Sequence, residues 1–145
     1  MPNWIEGTLK VRGKRENIEK FIFNAIEANV EEDPYGGFTI ETKTYGWFID
    51  TDRMFLKETT EVVFYEHGDG DVIIFLPIQQ AWDWNVDDFV RLSSKYYVNL
   101  RVYGFERGME FTHEIEIVKG GMMLINETKK YKDYEWECPC PTLGG

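Results

Sequence analysis

Apolar and polar residues alternate along residues 99–118 (NLRVYGFERGMEFTHEIEIV), and this alternation predicts two strands. Leu100 and Val102 alternate with polar neighbours. Beyond the turn the residues separate onto two faces, one with Phe111, His113, Ile115 and Ile117, the other with Thr112, Glu114 and Glu116. A period of two is typical of strands that are buried on one side only. Gly104, Gly108 and the charged pair 106–107 interrupt the middle, so the stretch predicts an antiparallel hairpin with a short loop.

The N-terminal segment predicts a strand followed by a helix. Residues 5–12 alternate, with Leu9 and Val11 inward and Lys10 and Arg12 outward. The next apolar residues follow the spacing of one helix face, namely Ile18, Phe21, Ile22, Ala25 and Ile26. This spacing predicts a helix over 15–29. The run 31–37 contains a proline and two glycines, which end the helix.

The middle of the chain predicts more strands. Residues 38–58 suggest two short strands joined by 43–46, as an insertion carried on the main sheet. Segments 61–66 and 71–77 are rich in β-branched and aromatic residues and flank the turn 67–70, which predicts a second hairpin. The strand 71–77 is almost continuously apolar, so we expect it at the centre of the sheet.

A second helix follows. Asn85 has the side chain of an N-cap, and Asp87 and Asp88 suit the positive end of a helix dipole. The apolar positions Val86, Phe89, Val90, Leu92 and Tyr96 continue the pattern to about residue 97. After the hairpin at 99–118, two glycines separate a further apolar piece, 122–125, from the tail.

The order of strand, helix, strands, helix, strands predicts an α+β fold. We expect a ferredoxin-like antiparallel sheet with two helices on one face, plus short extra strands. No linker or repeat divides the chain, so residues 1–145 are predicted to form a single domain. Within it, 31–60 is the expected insertion and 126–145 a C-terminal tail packed on the domain.

Charge narrows the classes of partner. The 145 residues carry 26 acidic and 16 basic side chains, for a net charge of −10. Such a surface repels nucleic-acid phosphates, so direct nucleic-acid binding is not expected. It is compatible with docking on the basic surface of another protein. The simpler alternative is that the charge keeps a small protein soluble. Without a long apolar run or a secretory signal, we expect a soluble cytoplasmic protein with no membrane contact.

Metal and cofactor motifs are weak. Cys138 and Cys140 could supply two thiolate ligands to a zinc ion, with His67 or His113 completing the site. However, the two cysteines are closer together in sequence than the cysteine pairs of structural zinc sites. His113 lies on an apolar strand face, where a hydrogen-bonded core histidine is the commoner role. Residues 67–71 resemble half of a calcium loop without its bidentate glutamate, and a tight turn explains them better. We expect no metal and no cofactor.

Catalytic motifs are also lacking. The sequence has no glycine-rich phosphate loop, no nucleophile elbow and no zinc-protease motif. Carboxylate pairs such as Asp50 with Asp52 arise readily in so acidic a chain and usually mark a solvated face. We therefore predict no catalytic residues and a protein that is not an enzyme.

Four segments carry a resemblance to a known group. They are 1–13 (MPNWIEGTLKVRG), 81–83 (AWD), 103–111 (YGFERGMEF) and 134–145 (YEWECPCPTLGG). Together they resemble small phage and prophage proteins of low-GC Gram-positive bacteria and, more distantly, the YubB-type ferredoxin-like domain. The opening motif of this group usually has Cys after Trp4, where this chain has Ile5. The resemblance implies a ferredoxin-like fold and a mobile-element origin, with no agreed activity.

These observations predict a phage-encoded protein that binds and inhibits or modulates a host protein, such as a nucleic-acid-binding protein of antiviral defence. In its sharper form, the acidic face acts as a DNA mimic in a basic groove. Aromatic anchors rimmed by negative charge would supply the contact. The predicted partner-binding residues are Trp84, Phe105, Glu106, Met109, Glu110, Glu114 and Glu116. The alternatives are a sponge that sequesters a small nucleotide signal and a structural phage protein. The sequence leaves the oligomeric state open.

Overall fold

Antiparallel strands make up most of the molecule. The structure is a computed structural model that describes residues 1–42 and 46–145. Its helices are α1 (Arg15–Ala25), α2 (Val86–Tyr96) and α3 (Tyr134–Glu137). Its strands are β1 (Trp4–Gly13), β2 (Ile26–Glu27), β3 (Asn29–Glu32), β4 (Phe38–Glu41), β5 (Gly46–Phe48), β6 (Met54–Leu56), β7 (Thr60–Val62), β8 (Tyr65–Glu66), β9 (Val72–Ala81), β10 (Asn99–Glu106), β11 (Phe111–Val118) and β12 (Met122–Lys130).

Two sheets share these strands. The large sheet has the order β12-β11-β10-β1-β9-β6-β5-β2, with β8 also paired to β9, and the small sheet has the order β3-β4-β7. β1 pairs along most of its length with β9 on one side and with β10 on the other. Because β1 lies between these two long strands, the centre of the large sheet is built from segments far apart in sequence.

The predicted ferredoxin-like fold with two helices and a few extra strands is wrong. Strands make up 46% of the structure and helices 18%, so the fold is open and rich in sheet. The difference arises at both ends of the sheet. β11 and β12 extend one side, while β6, β5 and β2 extend the other. The period of two indicated that strands exist, but the number that join one sheet depends on pairings between distant segments.

The two longer helices differ in how well local signals predicted them. Asn85 caps α2 as predicted, since its Oδ1 accepts a hydrogen bond from the Asp87 backbone N–H at 3.1 Å. α1 begins at Arg15 but ends at Ala25 rather than Asn29. Residues 26–27 leave the helix because they pair with β5. A long-range pairing therefore overrides the apolar helical pattern that includes Ile26.

The large sheet has an inner face and an outer face. The inner face carries apolar side chains that form one core with α1 and α2, including Leu9, Val11, Leu76, Leu100 and Ile115. The helices also contact each other, with the rings of Phe21 and Tyr96 edge-on at 5.4 Å. The outer face is the opposite side of the same strands, where residues 6, 8, 10 and 12 of β1 point.

The predicted hairpins have different outcomes. The hairpin at 99–118 is confirmed, with Val102 opposite Ile115. The hairpin at 61–77 is only partly correct. Its turn forms and β8 pairs with β9, but β7 pairs with β4 in the small sheet. β4 and β5 likewise lie in different sheets, and residues 43–45 of their predicted connection lie outside the described residues.

Candidate functional site

The outer face of the large sheet presents polar and aromatic side chains in rows across the strands. One row places Lys10 of β1 directly between Arg101 of β10 and Phe75 of β9. The next row places Thr8 between Tyr103 and Pro77. These side chains are accessible to solvent: Phe75 is 41% exposed and Tyr103 is 39% exposed. This face can therefore contact a ligand without any opening of the core.

A cleft of about 420 Å³ crosses this face, and we call it the first cleft. Its lining includes Thr8 and the ring of Tyr103, together with the cationic side chains Lys10, Lys57 and Arg101. The volume falls within the range of roughly 300–1,000 Å³ that is usual for small-molecule sites. An aromatic ring beside cationic side chains suits a ligand that has both a flat ring and a negative charge.

Only part of the positive charge in the first cleft is neutralised by carboxylates. Lys57 Nζ lies 2.8 Å from Glu6 Oε2. The Arg101 guanidinium lies 2.7 Å from Glu114 Oε2 and 3.3 Å from Glu116 Oε1. Among residues 1–42 and 46–145, Lys10 forms no ion pair, and it stands opposite Arg101 on the neighbouring strand. Because Glu114 and Glu116 already offset the charge of Arg101, an anion here would pair mainly with Lys10 and share Arg101 with the two carboxylates.

The C-terminal tail forms one wall of the first cleft. Cys140 and Leu143 line it. The tail is held by a small cluster in which Phe105, Tyr134 and Cys138 are buried together. Burial, together with the neighbouring Cys138 thiol, raises the pKa of Tyr134, so its ring stays neutral.

The last residues of the tail lie directly on β1 and β10. The Gly145 N–H donates to the Trp4 carbonyl at 2.8 Å. A Cβ at Gly144 would lie 2.1 Å from the Phe105 carbonyl oxygen, and this residue has a φ of +79°. Both the close approach and the backbone angle require glycine here. The Gly-Gly ending is thus part of the packing that shapes the cleft.

A second cleft of about 220 Å³ adjoins the first. The two share Lys10 and Arg101, and the second is otherwise lined by Arg12, Ile73, Asn99, Leu100 and Glu116. Arg12 Nη1 lies 3.3 Å from His67 Nε2, so the predicted turn at 67–70 stands at this end of the face. The shared pair Lys10–Arg101 makes the two clefts one continuous basic track.

Three of the predicted partner-binding residues are buried. Trp84 is 3% exposed, and its Nε1–H donates to the His113 carbonyl at 3.1 Å. It lies against Gly104, where a Cβ would be 2.1 Å from Trp84 Nε1. Phe105 lies under the tail. Glu106 is fully buried and accepts hydrogen bonds from the backbone N–H groups of the hairpin turn, including that of Gly108 at 2.7 Å. These three side chains hold the fold together.

The other four predicted residues separate into two places. Met109 is 59% exposed and Glu110 is exposed, both at the tip of the β10–β11 hairpin. Glu114 and Glu116 lie on the outer face, where both contact Arg101. The structure therefore does not bring the seven together as one acidic surface, and their role in partner binding stays a prediction.

The residues considered as zinc ligands and set aside in the sequence also lie apart. Cys138 and Cys140 belong to the tail on the outer face, whereas His113 lies on the inner face. Its Nδ1 is 2.6 Å from Asp83 Oδ1, and its Nε2 is 2.6 Å from Asn126 Oδ1. Within the described ranges, no group of three or more His, Cys, Asp or Glu residues is arranged to hold a metal ion.

The basic track was not predicted from the sequence. The alternation along β1 placed Lys10 and Arg12 outward, which was a usable signal, but in a chain of net charge −10 these two residues indicate only a solvent-facing side. Arg101 lies beside Lys10 because of the β1–β10 register, which joins residues about ninety positions apart.

Comparison with known proteins identifies no family for this chain. No protein-family model, curated protein or solved structure matches this chain. Across residues 1–42 and 46–145, no helix has the length and apolar character needed to cross a membrane.

Proposed function

We propose that this protein is a non-enzymatic binding protein whose outer sheet face holds a small nucleotide. The observation that carries the proposal is the opposed pair Lys10 and Arg101 on the side of an open cleft, in a protein that is strongly acidic elsewhere. A phosphate between these two side chains would neutralise Lys10 and gain charge-assisted hydrogen bonds from both, sharing Arg101 with Glu114 and Glu116.

The aromatic ring that lines the first cleft favours a nucleotide over a simple anion as the ligand. Tyr103 is partly exposed and its ring is braced by Phe105 at 5.2 Å between centroids. A braced ring loses little freedom on binding, and a base stacked on an aromatic side chain gains about 1–3 kcal/mol. In the setting predicted by the resemblance, a phage protein in a bacterial host cell, such binding sequesters a nucleotide signal.

Titration of the protein with AMP and with inorganic phosphate tests this proposal. We expect AMP to bind more tightly than phosphate and to raise the midpoint of thermal unfolding, because a ligand that binds only the folded state stabilises it. Lys10→Gln should weaken AMP binding roughly tenfold or more, the effect of losing a hydrogen bond to a charged group.

Lys20→Gln is the matched control, since Lys20 is an exposed lysine on α1, away from the cleft. It should bind AMP as the unchanged protein does. The proposal fails if AMP leaves the unfolding midpoint unchanged, or if Lys10→Gln and Lys20→Gln weaken binding equally.

The predicted binding of a host protein could use the accessible surface at the tip of the β10–β11 hairpin. Met109 and Glu110 are exposed at the hairpin tip, and Glu110 lines a hollow together with Glu135 of α3. Trp136, next to Glu135, is 86% exposed. Two cations, Arg107 and Lys132, line the same hollow, but the net charge of −10 still favours a basic partner for the exposed methionine and tryptophan.

This second candidate is tested by affinity capture from a Gram-positive host lysate at low and raised salt. A basic protein retained at low salt should be lost from the double variant Met109→Ser with Trp136→Ser. Retention by that variant would contradict the hairpin-tip surface without bearing on the nucleotide cleft.

A further inference from the structure

We infer that the ligand of the outer face is a dinucleotide, with its linking phosphate between Lys10 and Arg101 and one nucleoside in each cleft. This inference rests on the proposed function and adds the size and shape of the ligand. It is motivated by the position of the shared pair, which lies at the boundary of two clefts and not at the closed end of one.

The spacing along β1 suits two ring-binding positions on either side of one phosphate. Thr8, opposite Tyr103, lies in the first cleft, and Arg12 lies in the second. These positions are four residues apart, or about 13 Å at the usual rise of a strand. Lys10 is midway. Bases splayed away from a phosphate can each reach a flat partner on such a face.

The second cleft has the chemistry for one further ring. Arg12 offers a guanidinium plane, and Ile73 offers an apolar surface. Arginine planes serve as stacking partners for unpaired bases, as aromatic rings do. At about 220 Å³ this cleft is smaller than the usual range for a whole ligand of roughly 300–1,000 Å³, so it suits an appended group.

The borders of the track limit the length of the ligand. The first cleft is walled by Cys140 and Leu143 of the tail, and Glu6 lies at the same end of β1. Glu114 and Glu116 lie on the side beyond Arg101. A longer strand would have to place further phosphates against these carboxylates and the rest of the acidic surface, where repulsion opposes binding.

The inference is tested by measuring the affinity of the whole protein for AMP, the dinucleotide ApA, whose single phosphate links its two nucleosides, and adenylate strands of four and ten nucleotides. The dinucleotide should bind roughly five- to 150-fold more tightly than AMP, the gain for one more stacked base. Affinity per molecule should not rise further with length.

A steric variant of the second cleft locates the second nucleoside. Ile73→Trp should fill this cleft and lower the affinity for ApA to that for AMP, while the AMP affinity stays unchanged. Ile49→Trp is the control, because Ile49 is 40% exposed and lines neither cleft. Circular dichroism of both variants verifies that the fold is kept, and Ile73→Glu provides a second change at the same site should the tryptophan variant fail to fold.

Each outcome separates the two proposals. Equal affinity for AMP and ApA overturns the dinucleotide inference and leaves the proposed function standing. Affinity that keeps rising to the ten-nucleotide strand also overturns it, in favour of single-stranded nucleic-acid binding. If none of the four ligands binds, the proposed function itself fails.

Discussion

The two faces of the large sheet are made by the same strands but are stabilised in different ways. On the inner face of β1, Leu9 and Val11 are fully buried in the core with α1 and α2. On the outer face of the same strand, Lys10 stands opposite Arg101 in a like-charge pair. The inner face contributes to stability through burial of apolar area, whereas the outer face keeps Lys10, which forms no ion pair among the described residues, in contact with solvent. We propose that the inner face serves folding and that the outer face serves binding.

Replacing neighbouring residues of β1 should separate the two faces most strongly. Leu9→Ala should lower the free energy of unfolding by about 2–5 kcal/mol, because it leaves a cavity in a packed core. Lys10→Ala should change it by no more than about 0.5 kcal/mol, as is usual for exposed positions. Urea unfolding of both variants measures the difference. Similar losses in the two variants would mean that the outer face also carries the fold.

The buried carboxylate of the hairpin should have the next largest effect. Glu106→Gln should lower the free energy of unfolding by about 1–3 kcal/mol, since its oxygens accept charge-assisted bonds from backbone N–H groups of the turn. Glu110→Gln, an exposed change in the same turn, is the control and should fall within about 0.5 kcal/mol of the unchanged protein. An equally stable Glu106→Gln protein would contradict the role of Glu106 as a turn-holding group.

The histidine on the inner face should make stability depend on pH. Burial lowers the pKa of His113, but its hydrogen bonds to Asp83 and Asn126 and the charge of Asp83 outweigh this, so the net pKa is raised above the usual value of 6.5. A raised folded-state pKa contributes stability that is fully present below the unfolded value and is lost as pH rises through the folded value.

We therefore expect the free energy of unfolding to fall as pH rises from about 6.5, by at most about 1.4 kcal/mol per pH unit for one group. Chemical unfolding at a series of pH values measures this slope. In His113→Gln the slope should be smaller over the same window. His67→Gln, a change at an exposed turn, should keep it. An unchanged slope in His113→Gln would assign the pH dependence to other groups.

The smallest expected effect on stability comes from an ion pair of Arg101 on the outer face, where the same change also tests ligand binding. Glu114→Gln removes one of the two carboxylates on Arg101 and should cost only about 0.2–1 kcal/mol, as for other exposed ion pairs. It should increase the affinity for AMP, because Arg101 is then freer to contact the phosphate. Glu19→Gln breaks an exposed ion pair with Arg15 on α1 and should cost a similar amount without changing AMP binding. Weaker AMP binding by Glu114→Gln would place the phosphate elsewhere.

Local patterns predicted individual elements better than their assembly. The cap at Asn85 depends on one side chain and the next two residues, so the sequence contains all that is needed. Ile26 also fits a helical face, yet it leaves α1 to pair with Phe48 of β5. Whether Ile26 joins the helix or the sheet is thus decided by a segment about twenty residues away. The large sheet therefore has more strands than predicted, and the fold is not ferredoxin-like.

Aromatic residues show the same limit for the candidate site. Trp84 and Phe105 looked like surface anchors because acidic residues flank them in sequence. In the structure Trp84 packs over Gly104, and the tail covers Phe105. The residues next to an aromatic side chain in the sequence show which charges lie near it. Whether its ring is buried depends on the distant segments that pack against it.

The sequence by itself determined the acidic charge, the period-two strands of residues 99–118, the start of both longer helices and the inward side of β1. These are local properties, set by side-chain chemistry and by the repeat of a helix or strand. Only the tertiary structure decided which strands share the large sheet, that the tail walls a cleft on its outer face, and that Lys10 meets Arg101. Such features depend on the register of long-range pairings, because a shift of one residue would send every one of these side chains to the other face.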